Sequence, residues 1–121
     1  MSLNVVDSSA WLEYFADTPR AKNFAAAIED AANLIVPAIV IYEVCKKVRR
    51  ERGEDAALQA AAALQSGSVF EVDGDLALDA SRLSLPLADS LIYATAQRLG
   101  ATLWTQDDDF KNLAGVRYFA K

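Results

Sequence analysis

Leu34-Ile35-Val36-Pro37-Ala38-Ile39-Val40-Ile41-Tyr42-Glu43-Val44-Cys45 carries a single charge in twelve residues. Leu34-Ile35-Val36 is β-branched and apolar enough for a buried strand, and Pro37 suits the first position of a helix. That helix runs to about Arg52 and stops at Gly53, where a residue without a side chain can leave the helical path. Strand then helix, joined with almost no loop, is the unit from which parallel α/β sheets are built. Glu43 falls about two turns into the helix, amid apolar neighbours, where it has no capping duty.

The same alternation extends in both directions. Leu3 to Val6 is a short β-leaning run, and Ser8-Ser9 cap a helix that begins at Ala10-Trp11-Leu12. A polar turn at Asp17-Thr18-Pro19 leads into a helical segment over residues 20–32. Residues 54–65 are alanine-rich and helical, and Ser66-Gly67 end them. Val69-Phe70-Glu71-Val72 alternates as a strand does, residues 75–84 read as a helix stopped before Pro86, and residues 88–99 as another closed by Gly100. Thr102-Leu103-Trp104 is a strand, and Val116 to Phe119 a further one. The expected fold is α/β, a mainly parallel β-sheet sandwiched by helices in three layers. Its ligand site should lie beyond the carboxyl ends of the strands.

Composition narrows the chemistry. The 121 residues fit one compact domain, 1–121, and 53% hydrophobic with 24% charged residues is a globular balance. No apolar stretch reaches the roughly 18 residues of a membrane span, no secretory signal opens the chain, and the expected location is cytoplasmic. One cysteine, Cys45, excludes an internal disulfide and any multi-cysteine zinc site. There is no histidine, so histidine bases, histidine-ligated metals and Ser-His-Asp or Cys-His mechanisms are excluded. A formal charge of −5 argues against a general nucleic-acid binder but leaves room for a metallonuclease with local cations.

Carboxylates must then carry any catalysis, and several stand in apolar surroundings. Asp7 is the only charge from Met1 to Leu12, Glu43 the only one from Leu34 to Cys45, and Asp89 the only one from Leu83 to Gln97. Asp107, Asp108 and Asp109 follow the strand that ends at Trp104. Each has an ordinary reading: a strand-end turn for Asp7, a helix-dipole partner for Asp89, a solvated acidic turn for residues 107–109 and a buried ion pair for Glu43. Together, Asp7 and Asp107 leave strand ends, Asp89 starts a helix and Glu43 follows a strand, so the four can meet at one edge of the sheet. Two like charges about 4 Å apart repel by about 4 kcal/mol at an effective dielectric near 20, so converging acids call for a cation. Oxygen donors without histidine or thiolate favour Mg²⁺ or Mn²⁺. Such an ion acidifies water and polarises a phosphoryl oxygen, which suits phosphodiester hydrolysis without a histidine.

These residues resemble the motifs of PIN domains. Val5-Val6-Asp7-Ser8-Ser9-Ala10-Trp11-Leu12-Glu13-Tyr14-Phe15 is similar to the first motif, and Glu43 after Pro37 to the second. Leu85-Pro86-Leu87-Ala88-Asp89-Ser90-Leu91-Ile92-Tyr93 is similar to the third, and Gly100 to Phe110 to the fourth. The motifs occur in order over nearly the whole chain, which at this length is most similar to VapC-type toxins of toxin–antitoxin pairs. The resemblance implies Mg²⁺-dependent cleavage of RNA, homodimers, and neutralisation by a VapB-type antitoxin whose tail crosses the site groove. It implies that Asp7, Glu43, Asp89 and Asp107 form the acidic quartet. Asp109 matches a second, less uniform acid in an assisting place, and Thr105 the hydroxyl that orients the first aspartate.

Lys46, Arg49 and Arg50 share a helix face by their i, i+3, i+4 spacing and could engage phosphates, or could be solvated cations at a helix C-terminus. Trp11, Tyr14 and Phe15 read as core packing or as an aromatic contact for a partner peptide. Two other functions remain open. An α/β phosphatase is weakened because Asp7-Ser8-Ser9 has no second aspartate two positions on and no suitably placed lysine follows the later strand. A non-catalytic module could use the same pocket for metal or peptide alone.

Overall fold

The computed structural model describes residues 2–121. These form five strands, β1 (Asn4–Val6), β2 (Leu34–Pro37), β3 (Ser68–Phe70), β4 (Thr102–Thr105) and β5 (Val116–Tyr118). The helices are α1 (Ser8–Ala16), α2 (Lys22–Glu29), α3 (Ala38–Arg52), α4 (Glu54–Leu64), α5 (Gly74–Ala80) and α6 (Leu87–Leu99). The sheet order is β3-β2-β1-β4-β5, and every pairing is parallel. Val5 and Val6 point to opposite faces of the central strand, yet both are 0% exposed, so both faces are covered. Helix α2 lies against β1 and β2, and α6 against β1, β2 and β4, which completes a three-layer α/β fold. Leu34, Val36 and Leu103 from the sheet pack with Trp11, Phe24, Val40, Val44, Leu64 and Ile92 in the core.

Strand order determines where a site can form. From β1 the chain moves outward to β2 and β3, then returns to the other side of β1 with β4 and continues to β5. The connections leave the carboxyl ends of β1 and β4 in opposite directions, which opens a crevice between them. Asp7 directly follows β1, and its N–H continues the ladder onto the Trp104 carbonyl of β4 at 3.1 Å. Asp107 lies two residues beyond β4.

Several boundaries differ from the sequence expectation, each for a local reason. Asp7, not Ser8-Ser9, caps α1: its backbone is extended (φ −74, ψ 168) and its side chain accepts from the Ala10 N–H. Pro37 ends β2 rather than opening the helix, because ψ 137 keeps it extended, and Ala38 becomes the first helical residue. The helix expected over residues 20–32 is α2 with a single 3-10 turn at each end, Pro19–Ala21 and Ala31–Asn33. Asp30 leaves helical geometry between them and accepts from the Asn33 side chain. Helix α5 stops at Ala80 instead of reaching 84, as the Ser81 hydroxyl turns back on the Leu78 carbonyl at 2.6 Å. The third strand spans Ser68–Phe70, ahead of the expected 69–72.

Gly53 joins α3 to α4 with φ +91 and ψ 180, a conformation essentially reserved for glycine. Around it there is open space, so the objection to a side chain is conformational rather than steric. A Gly53→Ala variant should therefore lose about 1–3 kcal/mol in urea denaturation while keeping its far-UV circular dichroism. An unchanged midpoint would show that the corner relaxes freely.

Candidate metal centre

Asp7 is 2% exposed and fully engaged. Its Oδ1 accepts from the Ala10 N–H at 3.0 Å, its Oδ2 from the Thr105 hydroxyl at 2.7 Å, and Ser9 Oγ donates to it at 3.1 Å. Thr105, at the end of β4 and 0% exposed, also accepts the Asp107 N–H at 2.9 Å. One hydroxyl thus ties the end of β1, the start of α1 and the loop after β4 into a fixed relation. Asp107 in turn caps the 3-10 turn Asp108–Phe110, with its Oδ1 accepting from the Asp109 N–H at 2.9 Å.

Glu43, the sixth residue of α3, accepts from Ser8 Oγ at 2.6 Å and makes no ion pair among the described residues. The buried salt bridge that would explain it away is absent there. Asp89 lies in the first turn of α6, whose N-cap, Pro86, offers no side-chain bond. It can favour the helix dipole, but its carboxylate also meets two others. One oxygen each from Asp89, Asp107 and Asp109 lie within 4.8 Å of one another. Asp108 turns outward to the Tyr118 hydroxyl, so the acidic turn is solvated in part and converging in part.

An open pocket of about 430 Å³ is lined by Asp7, Glu43, Asp89 and Asp107. Lys46, Lys47 and Arg50 line the same pocket. Arg49, grouped with Lys46 and Arg50 from the sequence, instead pairs with Glu54 and faces away. The missed residue is Lys47, and its signal was in the sequence. Counted from Glu43 at about 100° per residue, Lys46, Lys47 and Arg50 fall within about 60° of it, whereas Arg49 is about 120° away. Counting from the acid rather than among the cations selects the right face. Ser8 and Ser9, read from the sequence as capping residues, are hydrogen-bond donors to Glu43 and Asp7 instead. Trp11 is 1% exposed and belongs to the interior, while Phe15, stacked on it at 5.5 Å, is half-buried.

Crowding shows in the proton affinities. Burial pushes the Asp7 carboxyl up to about 6, against the pull of the Thr105, Ala10 and Ser9 donors and with a small push from Asp107. Burial, a hydrogen bond with Asp109 and the charges of Asp107, Asp109 and Asp7 push Asp89 up to about 7. The first shift is chiefly burial, and the second is burial joined by the neighbouring carboxylates. An all-oxygen donor set that lacks positive charge fits a hard divalent cation and offers nothing to softer metals.

Residues 5–116 match the family model of the PIN domain. The chain belongs to the PIN domain family. Similar solved structures include a toxin–antitoxin complex from Klebsiella pneumoniae, at TM-score 0.81 and 21% identity over 98% of this chain and 99% of that one. The Mycobacterium tuberculosis toxin VapC20, described as cleaving the sarcin–ricin loop, matches at TM-score 0.77 and 24% identity over 93% and 96%. VapBC2 from Rickettsia felis, bound to a DNA fragment of its promoter, matches at TM-score 0.73 and 15% identity over 98% of each chain. At these identities the likeness shows a shared PIN fold. No curated protein gives a significant match.

The shifted carboxyls determine a pH dependence. An acid raised in the folded state holds its proton after the unfolded chain has lost it, so folding becomes less favourable as pH climbs from the unfolded value through the folded one. For Asp7 and Asp89 that window runs from 3.8 to about 6 and about 7. Metal-free PIN domain should lose their contribution between pH 4 and pH 7, and Mg²⁺ or Mn²⁺ should raise the melting temperature more at pH 8 than at pH 5. Asp7→Asn keeps an acceptor for Ala10 and removes the buried charge. At pH 8 it should gain up to about 3 kcal/mol of metal-free stability and lose the metal-induced rise. Calorimetry on both proteins checks this; a destabilised Asn variant with an intact metal response would contradict it.

Proposed function

We propose that this PIN domain, spanning residues 1–121, is a divalent-metal-dependent endoribonuclease, the toxin of a VapBC-type toxin–antitoxin pair acting in the cytoplasm. The observation that carries the reading is the gathering of Asp7, Glu43, Asp89 and Asp107 on one open pocket together with three cations of α3. Phosphodiester cleavage needs both signs of charge. Acids are required to hold the metal, and cations to hold a polyanion that those acids alone would repel. The likeness to VapC20 and to toxin–antitoxin complexes supports the choice of RNA as substrate and of a VapB-type antitoxin as partner.

In this reading Asp7, Asp89 and Asp107 hold Mg²⁺ or Mn²⁺, and Glu43 binds it directly or through water. The ion supplies the positive charge that steadies the phosphoryl group as negative charge builds on its oxygens. The chain does the rest. Thr105 fixes the rotamer of Asp7, Ser8 does the same for Glu43, and Asp109 assists Asp89 and Asp107 from the 3-10 turn. Lys46, Lys47 and Arg50 orient the strand by its phosphates. The active species is a homodimer.

Two tests follow. Single-stranded RNA should be cut by the wild type with Mg²⁺ and not with a chelator, and Asp7→Ala, with its fold verified, should bring cutting down to background. Silence of the wild type on RNA, or hydrolysis of a small phosphomonoester instead, would remove the proposal. Lys47→Ala and Arg50→Ala should each weaken RNA binding and reduce the slope of log affinity against log salt by about 1, whereas Arg49→Ala should change neither.

A further inference from the structure

Beside the carboxylate pocket lies a second one, of about 320 Å³, between α1 and α3. The two adjoin, and Ser9, Leu12 and Lys47 line both. Its walls differ in chemistry. Leu12, Phe15 and Val48 give it an apolar side, Lys47 and Arg52 a cationic rim, and Glu13 and Gln106 a polar end. Glu51 also lines it, but sits 4.0 Å from Lys47 with both side chains about half exposed, a pairing that a phosphate can readily displace. Arg52 donates to the Phe15 carbonyl at 3.3 Å, which leaves most of its donors for a ligand.

The polar end is held rigidly. Glu13 Oε2 accepts from Gln106 Nε2 and Glu13 Oε1 from the Thr18 hydroxyl, both at 2.7 Å. These donors, helped by the charges of Arg20 and Lys121, draw the Glu13 carboxyl below the usual range, so it stays ionised. Each oxygen retains a lone pair, because a carboxylate accepts about four hydrogen bonds in all. Gln106 is 3% exposed, and its buried Oε1 has no partner among the described residues. Arg20 and Lys121 add positive charge at this end, Arg20 at 4.0 Å from Glu13 Oε2 and Lys121 in the pocket lining.

We infer that this pocket seats a guanine base next to the scissile phosphodiester, with Glu13 reading its Watson–Crick edge. The inference rests on the ribonuclease reading above. An apolar wall with an aromatic ring, Phe15, suits a base, and Lys47 and Arg52 suit the phosphates on either side of it. Among the four bases, guanine presents two adjacent N–H donors on that edge, N1–H and the N2 amino group, the match for a carboxylate with two fixed oxygens. Adenine and cytosine offer an amino group beside an acceptor that Glu13 would repel, and uracil a single donor between two acceptors.

The test uses the full chain and single-stranded oligonucleotides that differ only at the positions flanking the cut, with guanosine replaced by inosine, adenosine, cytidine or uridine. Inosine keeps N1–H and loses the amino group. Cleavage with Mg²⁺ should fall about tenfold or more from guanosine to inosine on one side of the cut. Glu13→Gln should shrink that ratio toward 1 while retaining the Mn²⁺-induced rise in melting temperature. Anisotropy of the same labelled oligonucleotides in Ca²⁺ should show the same order of affinity. Cutting that is equal for all bases on both sides would overturn the guanine subsite and leave the ribonuclease reading standing. Guanosine-selective binding without cutting would do the reverse. A Glu13→Gln variant with undiminished selectivity would overturn the role of Glu13.

Discussion

The Thr105 hydroxyl, donating to Asp7 and accepting from the Asp107 N–H, is the interaction on which the site depends. It joins the two strand ends at the point where the strand order reverses, and it does so without supplying charge. That distinction explains the electrostatics. Hydrogen bonds orient Asp7 and lower its proton affinity, yet burial still dominates and leaves the carboxyl at about 6. A lysine or arginine in place of Thr105 would have satisfied the charge and closed the site to a cation. A neutral donor fixes the geometry and leaves the charge unspent.

The same economy of local structure runs through the other acids. Asp7 caps α1, Asp107 caps a 3-10 turn, and Asp89 sits where the dipole of α6 welcomes it, so each has a folding role that holds it in place. Glu43 has none, and Ser8 supplies the missing restraint. Fixed acids from four elements, with cations one turn and two turns along α3, also reconcile a formal charge of −5 with a phosphate-bearing ligand. What matters to a polyanion within a Debye length is the local arrangement, not the sum.

Much of this was legible in the sequence because it rests on patterns with short range. Strand–helix alternation, Gly53 as a stop and lone acids in apolar runs are all visible within a dozen residues, and they sufficed for a parallel α/β sheet with Asp7, Glu43, Asp89 and Asp107 at one edge. The ends of elements were less legible. Whether Asp7 or Ser8 caps α1, and whether Pro37 closes a strand or opens a helix, depends on backbone angles set by the neighbouring strand. Arg49 and Lys47 were exchanged because the helix face was counted among the cations, whereas the acid was the fixed point. The second pocket was not legible at all. Thr18 meets Glu13 locally at the end of α1, but Gln106 reaches it only once α1 packs beside the end of β4, and no spacing in the chain announces that.

That packing has a consequence for how chemistry and recognition are linked. Asp7 and Ser9 belong to the start of α1, and Leu12, Glu13 and Phe15 to the next turns of the same helix. Glu43, Lys47 and Val48 repeat the progression on α3. Each helix therefore contributes first to the carboxylate pocket and then to the second pocket, and the Arg52 bond to the Phe15 carbonyl ties the far ends together. Each helix carries residues of both pockets, and the Ser8–Glu43 and Arg52–Phe15 bonds link the two helices at either end. Under the proposed ribonuclease reading, a strand held in one pocket would be placed in register with the other, so that the identity of a base could govern cleavage of its neighbouring bond. Substitutions that loosen the far turns of α1 against α3 should act on the second pocket before they act on Asp7 and Asp107, whose positions depend on the strand ends; Glu43, held by Ser8 across the two helices, should follow next.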